Sequence, residues 1–278
     1  MTVRLGPSGW VLLIVVNVFL WAPLVVVAML GFSDANSMTF PPPAYSTRWL
    51  SALLSDPVWT QSITTSLMIG FVTVLLSLLL GVPLGLGLAR GAIGQHVSIQ
   101  ALVATPLILP AISLAVGFYF VFAMLKVLDS MIPLVVAHTT VGVSYVVITV
   151  VSASRSLDPR LEAAARTMGA SFGKALVTIT LPLISVGIIG GAVLAFLHSW
   201  DDVVGALMLG TARVQPFPLK LWGEMQNVLN PISATAAVLL STVSIAILFM
   251  GALVVVTRRR RVPTGQAANV LLRSGASS

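Results

Sequence analysis

The sequence predicts an all-α integral membrane protein with six transmembrane helices. Three observations carry that expectation. Apolar residues make up 57% of the 278 positions and charged residues only 8%, where a soluble domain carries roughly 25% charge. Mean hydropathy is +1.03. The apolar residues also gather in unbroken runs of about 20, the length a helix needs to cross a bilayer whose interior offers no water to the backbone. The runs are continuous, so the alternation of a membrane β-barrel is absent.

The spans are expected at about 10–32, 62–89, 97–125, 131–151, 183–209 and 234–257. The first follows Arg4, and Ser33-Asp34-Ala35 could serve as a cleavage site, yet its apolar run is too long for a signal peptide and five more spans follow. It is read as an uncleaved helix. Proline and glycine inside the second and third spans (Gly81, Pro83, Gly85, Gly87, Pro106, Pro110, Gly117) suit kinked, closely packed helices. The loops 33–61 and 210–233 carry Pro41-Pro42-Pro43 and Pro216, Pro218 and Pro231, and neither is long enough for a separate domain. One transmembrane domain, 1–262, and a short polar cytoplasmic tail, 263–278, are expected.

Basic residues orient the spans. With the N-terminus inside, the inner loops hold Arg4, Arg90, Arg155, Arg160, Arg166, Lys174, Arg258 to Arg261 and Arg273, and the outer loops only Arg48, Lys126, Arg213 and Lys220. Both termini are therefore expected to be cytoplasmic. The net charge of +7 is a topology signal, since no basic domain stands outside the spans to bind nucleic acid. The chain has no cysteine, which removes disulfides and thiolate chemistry.

Between the fourth and fifth spans the segment 156–182 is polar and amphipathic. Asp158 and Pro159 make a helix start, with the carboxylate over free amides and the proline where its missing N–H costs nothing. Leu161, Ala165, Met168, Phe172, Leu176 and Ile179 recur at steps of four and three and mark one apolar face. Gly169 interrupts the stripe where a left-handed residue is needed, and Ser171 can cap a second short helix. Helix, glycine turn, helix is the expectation, resting on the protein or the lipid surface unless a partner covers it.

Ala164, Ala165, Gly169, Ile179, Leu181 and Pro182 fall in register with the pattern E-A-A-x-x-x-G, nine residues, I-x-L-P. The segment thus resembles the EAA loop of binding-protein-dependent ABC importer permeases. Ala163 stands where that pattern has glutamate, and Glu162 lies one position earlier. Phe40-Pro41-Pro42 with Arg48-Trp49, Thr105-Pro106 with Leu109-Pro110, Ala137-His138-Thr139, and Ser199-Trp200-Asp201-Asp202 followed by Pro218-Leu219-Lys220 resemble the spermidine/putrescine branch over roughly residues 10–258.

The resemblance implies the fold of a type I ABC importer permease with coupling helices between spans 4 and 5. Glu162, Ala163, Ala164, Ala165, Gly169, Ala170, Ser171, Leu181 and Pro182 would form the coupling loop, docked in a groove of the ATPase. It also implies a multi-pass subunit of the cell inner membrane. Its partners would be a homologous second permease, an ABC ATPase dimer, an extracytoplasmic solute-binding protein and membrane lipid. The implied solute is a polyamine or related amine; iron, an aminophosphonate, an opine or a sugar are the alternatives within the same type of importer. No cofactor is expected on this chain. Gly169 to Lys174 falls one residue short of a phosphate-binding G-x-x-x-x-G-K-[ST] loop and has Ala175 for its hydroxyl, so ATP and Mg²⁺ would be used by a separate, catalytic subunit.

Charges within spans are costly and point to function. Asp201 and Asp202 lie roughly 27 Å along the fifth span at 1.5 Å per residue, in the outer part of the bilayer, with His198 one turn earlier and His138 in the outer third of the fourth span. These four could line a vestibule, where a cationic solute would meet a carboxylate and the faces of Trp200 or Trp222. They could equally cap a helix break or bond between helices. No third strong metal ligand and no nucleophile accompanies the His-Asp pair. A secondary transporter would show inverted repeats and midplane charges, and an intramembrane hydrolase would show converging catalytic residues; neither pattern is present.

Overall fold

The computed structural model describes residues 6–91, 97–227 and 230–261, and every named element in them is helical. The proposed tail 263–278 lies outside the described residues. Helix α1 (Pro7–Gly31) is followed by a short α2 (Arg48–Ser55) and the long α3 (Pro57–Ala89). Then come α4 (Val97–Ile108), α5 (Ala111–Met124) and α6 (Ile132–Arg155). The polar segment forms α7 (Arg160–Thr167) and α8 (Phe172–Ala175), which runs through a π-helical turn at Leu176–Thr180 into α9 (Leu181–Leu183). Helices α10 (Ser185–Asp201), α11 (Val203–Leu209), α12 (Phe217–Asn227) and α13 (Pro231–Arg261) complete the chain.

Among the described residues four helices are long and apolar enough to cross a membrane, and six result when each of two bent pairs counts as one span. The third predicted span is not a straight helix. It bends by 97° between α4 and α5, because Pro110 takes an extended ψ of 129°, offers no N–H, and disfavours helical geometry at Leu109 before it. The fifth predicted span is also interrupted: Phe172–Leu183 meets Ser185–Asp201 at 67°, and Asp202, with ψ 103°, separates α10 from α11. The second span starts at Pro57, five residues earlier than predicted, since Asp56 accepts from the Val58 amide at 2.8 Å and caps the helix. Helices α2 and α12 occupy stretches read as loops; at eight and 11 residues they are too short to register as spans.

The core is a packed trio, α3, α6 and α10. Glycines set the approach: a Cβ on Gly81 would meet the Val146 side chain at 2.7 Å, one on Gly187 the Thr149 carbonyl oxygen at 2.6 Å, and one on Gly191 the Val146 Cα at 2.8 Å. Lipid-like solvent drives no apolar association, so close backbone contact supplies the packing energy. One cluster, of Leu53, Trp59, Trp200, Phe217 and Ala236, joins α2, α3, α10, α12 and α13 at one end of the trio. At the opposite end Leu86, Val146, Val150 and Ile184 close the trio. Helix α1 buries only Gly31, held where Thr235 Oγ1 donates to its carbonyl at 2.7 Å.

Candidate functional site

Two regions gather the predicted site residues. The first is the α7–α9 segment. Asp158 Oδ1 accepts from the Arg160 amide at 2.9 Å, starting α7 as its capping geometry requires. The helix stops at Gly169, whose φ of +91° lies in the left-handed region that L side chains avoid. Ser171 then accepts from the Lys174 amide and opens α8. Open space surrounds Gly169, with nothing within 4 Å of a would-be Cβ, so backbone conformation and not lack of room within the chain reserves this site for glycine.

The predicted apolar face divides. Ala165 is buried and Leu176 and Ile179 are partly buried, whereas Leu161, Met168 and Phe172 stand exposed, Met168 at 83%. Ala163, Ala164, Ala170 and Ser171 are at or near this open side, with Ala163, Ala170 and Ser171 lining a shallow cavity of about 440 Å³ beside Arg166. Leu181 and Pro182 lie at the return toward α10. Glu162 turns the other way: its Oε2 accepts from Arg90 Nη2 at 2.6 Å and from Thr180 Oγ1 at 2.9 Å. The same guanidinium lies 5.3 Å from the Phe172 ring centroid. Arg90, at the end of α3, thereby ties α7 and the π-turn to the packed trio. Sequence reasoning missed this latch, because Arg90 and Glu162 are 72 residues apart and nothing in their local patterns links them.

The second region joins α6, α10 and α11. His138 is buried, its Nδ1 2.8 Å from Ser199 Oγ and its Nε2 3.1 Å from Asp202 Oδ2. With Asp202 ionised, its carboxylate can only accept, which assigns the proton to Nε2 and leaves the Ser199 hydroxyl to serve the other nitrogen. Asp202 also accepts from the Gly205 amide at 3.1 Å, capping α11. One aspartate thus closes the break in the span. The His198 ring lies 5.7 Å from that of His138. Among the described residues no three His, Asp or Glu side chains form a metal-holding group.

The other members separate. Trp200 is 1% exposed, stacked on Phe196 with centroids 6.1 Å apart, and its Nε1 donates to the Leu240 carbonyl at 3.1 Å. It presents no face to a vestibule; its job is packing α10 on α13. Trp222 is exposed on α12. Asp201 is exposed at the end of α10 and joins no ion pair among the described residues, whereas Asp34, Asp129, Asp202 and Glu224 face Arg48, Arg213, His138 and Lys220.

Residues 81–262 match the family model described as binding-protein-dependent transport system inner membrane component. The putrescine transport system permease protein PotI of Escherichia coli K12 is 29% identical over 248 residues, covering 86% of this chain and 88% of that protein. The molybdate/tungstate permease WtpB of Pyrococcus furiosus is 31% identical over 210 residues, covering 76% and 84%. The chain also shares its fold with a bacterial ABC transporter that imports alginate (TM-score 0.63, 15% identity, 95% and 100% covered) and with the MetNI methionine ABC transporter (TM-score 0.60, 20% identity, 72% and 95% covered). With well over half of its length inside the family model and permeases among its relatives, the chain belongs to the binding-protein-dependent transport system inner membrane components, the membrane permease subunits of ABC importers.

Proposed function

We propose that this permease crosses the inner membrane six times with both termini in the cytoplasm, pairs with a second permease, and passes the closure of an ATPase dimer to its spans through the α7–α9 segment. The observation that carries the coupling role is the exposed trio Leu161, Met168 and Phe172 around the left-handed Gly169. Three large apolar side chains on a polar helical hairpin, tied by Arg90 to the core helices, form an anchor for a groove of a soluble partner. Glu162, displaced one position from the family's glutamate, serves the permease side of that joint.

Gly169→Val tests it. Holding a β-branched residue at φ +91° costs about 1–3 kcal/mol, so the hairpin re-angles its exposed face. In liposomes carrying the full transporter, the variant inserts and assembles, yet solute no longer stimulates ATP hydrolysis. Gly169→Asn, which tolerates left-handed geometry, retains most stimulation, and Ala163→Glu is accepted. Stimulation at the normal level in Gly169→Val removes the hairpin from the transmission path.

The solute we infer is a polyamine, delivered by an extracytoplasmic binding protein. Asp201, an exposed carboxylate at the end of α10 that joins no ion pair among the described residues, suits a cation and repels an oxyanion such as molybdate. The expected result of Asp201→Asn is a loss of putrescine uptake equivalent to a charge-assisted contact of about 1.5–3 kcal/mol, roughly 10- to 150-fold, with assembly intact. The PotI and WtpB similarities make the opposite outcome explicit. Unchanged putrescine uptake, or molybdate uptake that rises in Asp201→Asn, assigns the chain to oxyanion transport.

A further inference from the structure

A basic cleft of about 640 Å³ opens between the end of α3, the end of α6 and α7. Arg90, Arg155 and Arg166 line it, and Glu162 is its one carboxylate. Glu162 is already engaged by Arg90 and Thr180, and Asp158, the nearest other acid in sequence, caps α7. Arg155 and Arg166 form no ion pair among the described residues. Ser154, which also lines the cleft, has a buried Oγ with no hydrogen-bond partner. Two guanidiniums outside any of these ion pairs make a setting for an anion.

Arg155 belongs to a second cavity as well. A mainly apolar groove of about 390 Å³ runs between α4 and α6, walled by Val103, Val147, Ile148 and Val151, with Gln100 and Ser152 as its polar members beside Arg155. The two spaces share that arginine, so a mainly apolar groove and a cationic cleft meet at one side chain. An acidic side chain of a protein partner uses only the second. An amphiphile with a phosphate head and a hydrocarbon tail uses both, the tail replacing bilayer contacts in the groove and the phosphate meeting Arg155 at the end of α6, where a basic juxtamembrane side chain attracts anionic lipid.

We propose that the groove between α4 and α6 and the basic cleft beside α7 together hold one anionic phospholipid of the inner leaflet, with its phosphate on Arg155. The lipid head lies against the α7 hairpin, so the site places a membrane component beside the segment that faces the ATPase. The proposal rests on the cytoplasmic placement of this end of the chain. The chain has no cysteine, so labelling of Ser156→Cys with a membrane-impermeant maleimide reports that placement separately.

The full chain, purified in mild detergent, is exchanged with equal amounts of phosphatidylglycerol and phosphatidylcholine and weighed by native mass spectrometry. Wild type is expected to retain phosphatidylglycerol at least fivefold over phosphatidylcholine. Arg155→Gln brings the ratio close to one and Arg155→Lys preserves it, while Val151→Trp, which fills the groove, lowers retention of both lipids. Circular dichroism melts of the variants separate lost binding from lost folding. No preference in wild type overturns the proposal. Competition by glycerol 3-phosphate alone overturns it in favour of a free-phosphate site. Loss of the ATPase from the Arg155→Gln complex, with lipid preference unchanged, overturns it in favour of a protein contact.

Discussion

Glu162→Ala is expected to uncouple the transporter while leaving the bundle folded. The carboxylate accepts two hydrogen bonds, from Arg90 and Thr180, and its side chain is 17% exposed, so solvent replaces them poorly. Losing such charge-assisted bonds costs about 1.5–3 kcal/mol, discounted toward the lower figure because Arg90 keeps 29% of its surface in water. That cost falls on the joint between α7 and α3 and not on the glycine-packed trio. ATP hydrolysis by the reconstituted complex then continues at its basal rate and loses its response to solute. A double-mutant cycle with Arg90→Ala gives the decisive number: coupling of at least about 1 kcal/mol between the two sites confirms a latch, and additivity denies it.

Asp202→Ala carries the larger structural penalty. It removes the cap of α11, worth about 1 kcal/mol, and leaves the Nε2 of buried His138 without its acceptor, a further cost of about 1–3 kcal/mol. Both losses fall where the backbone is already broken. The detergent-solubilised variant is expected to melt well below wild type, and Asp202→Asn, whose amide oxygen still accepts from both Gly205 and Nε2–H, is expected to recover most of the difference. If Asp202→Ala melts like wild type and only uptake falls, Asp202 serves the solute and not the fold.

Composition and periodicity made the membrane class and the helical hairpin legible, because both are properties of consecutive residues. The run lengths located α1, α3, α6 and α13, and the Asp158, Gly169 and Ser171 pattern marked the ends of α7 and α8. Bends were less legible. Pro110 turns the third span by 97°, while Pro23 and Pro83 remain inside continuous helices; what differs is the tertiary setting, which the residue itself does not encode. The same limit applied to the two tryptophans of the candidate vestibule. Trp200 and Trp222 are alike in chemistry, and only the positions of Phe196, Phe217 and Leu240 bury one of them. The Arg90–Glu162 pair and the His138–Asp202 pair bring together residues more than 60 positions apart; the common depth of His138 and Asp202 within their spans hinted at the second, and nothing local hinted at the first.

Helix α3 has a thermodynamic consequence at both of its ends. Its 33 residues form a rod roughly 50 Å long. Near its start, Ser66 accepts from the Phe217 amide of α12 at 2.8 Å and Lys220 of α12 lies over Trp59 at 5.1 Å; at its finish, Arg90 holds α7. If the rod tilts as one body, our hypothesis is that a solute preferring one tilt at α12 changes the affinity of the hairpin for its ATPase, and that ATPase binding changes the affinity for solute by the same factor. Reciprocity of this kind is a requirement of linked equilibria, whatever the solute. Titrations of solute with and without ATPase, and of ATPase with and without solute, must return one ratio; independent affinities would show that α3 flexes between its ends and transmits nothing.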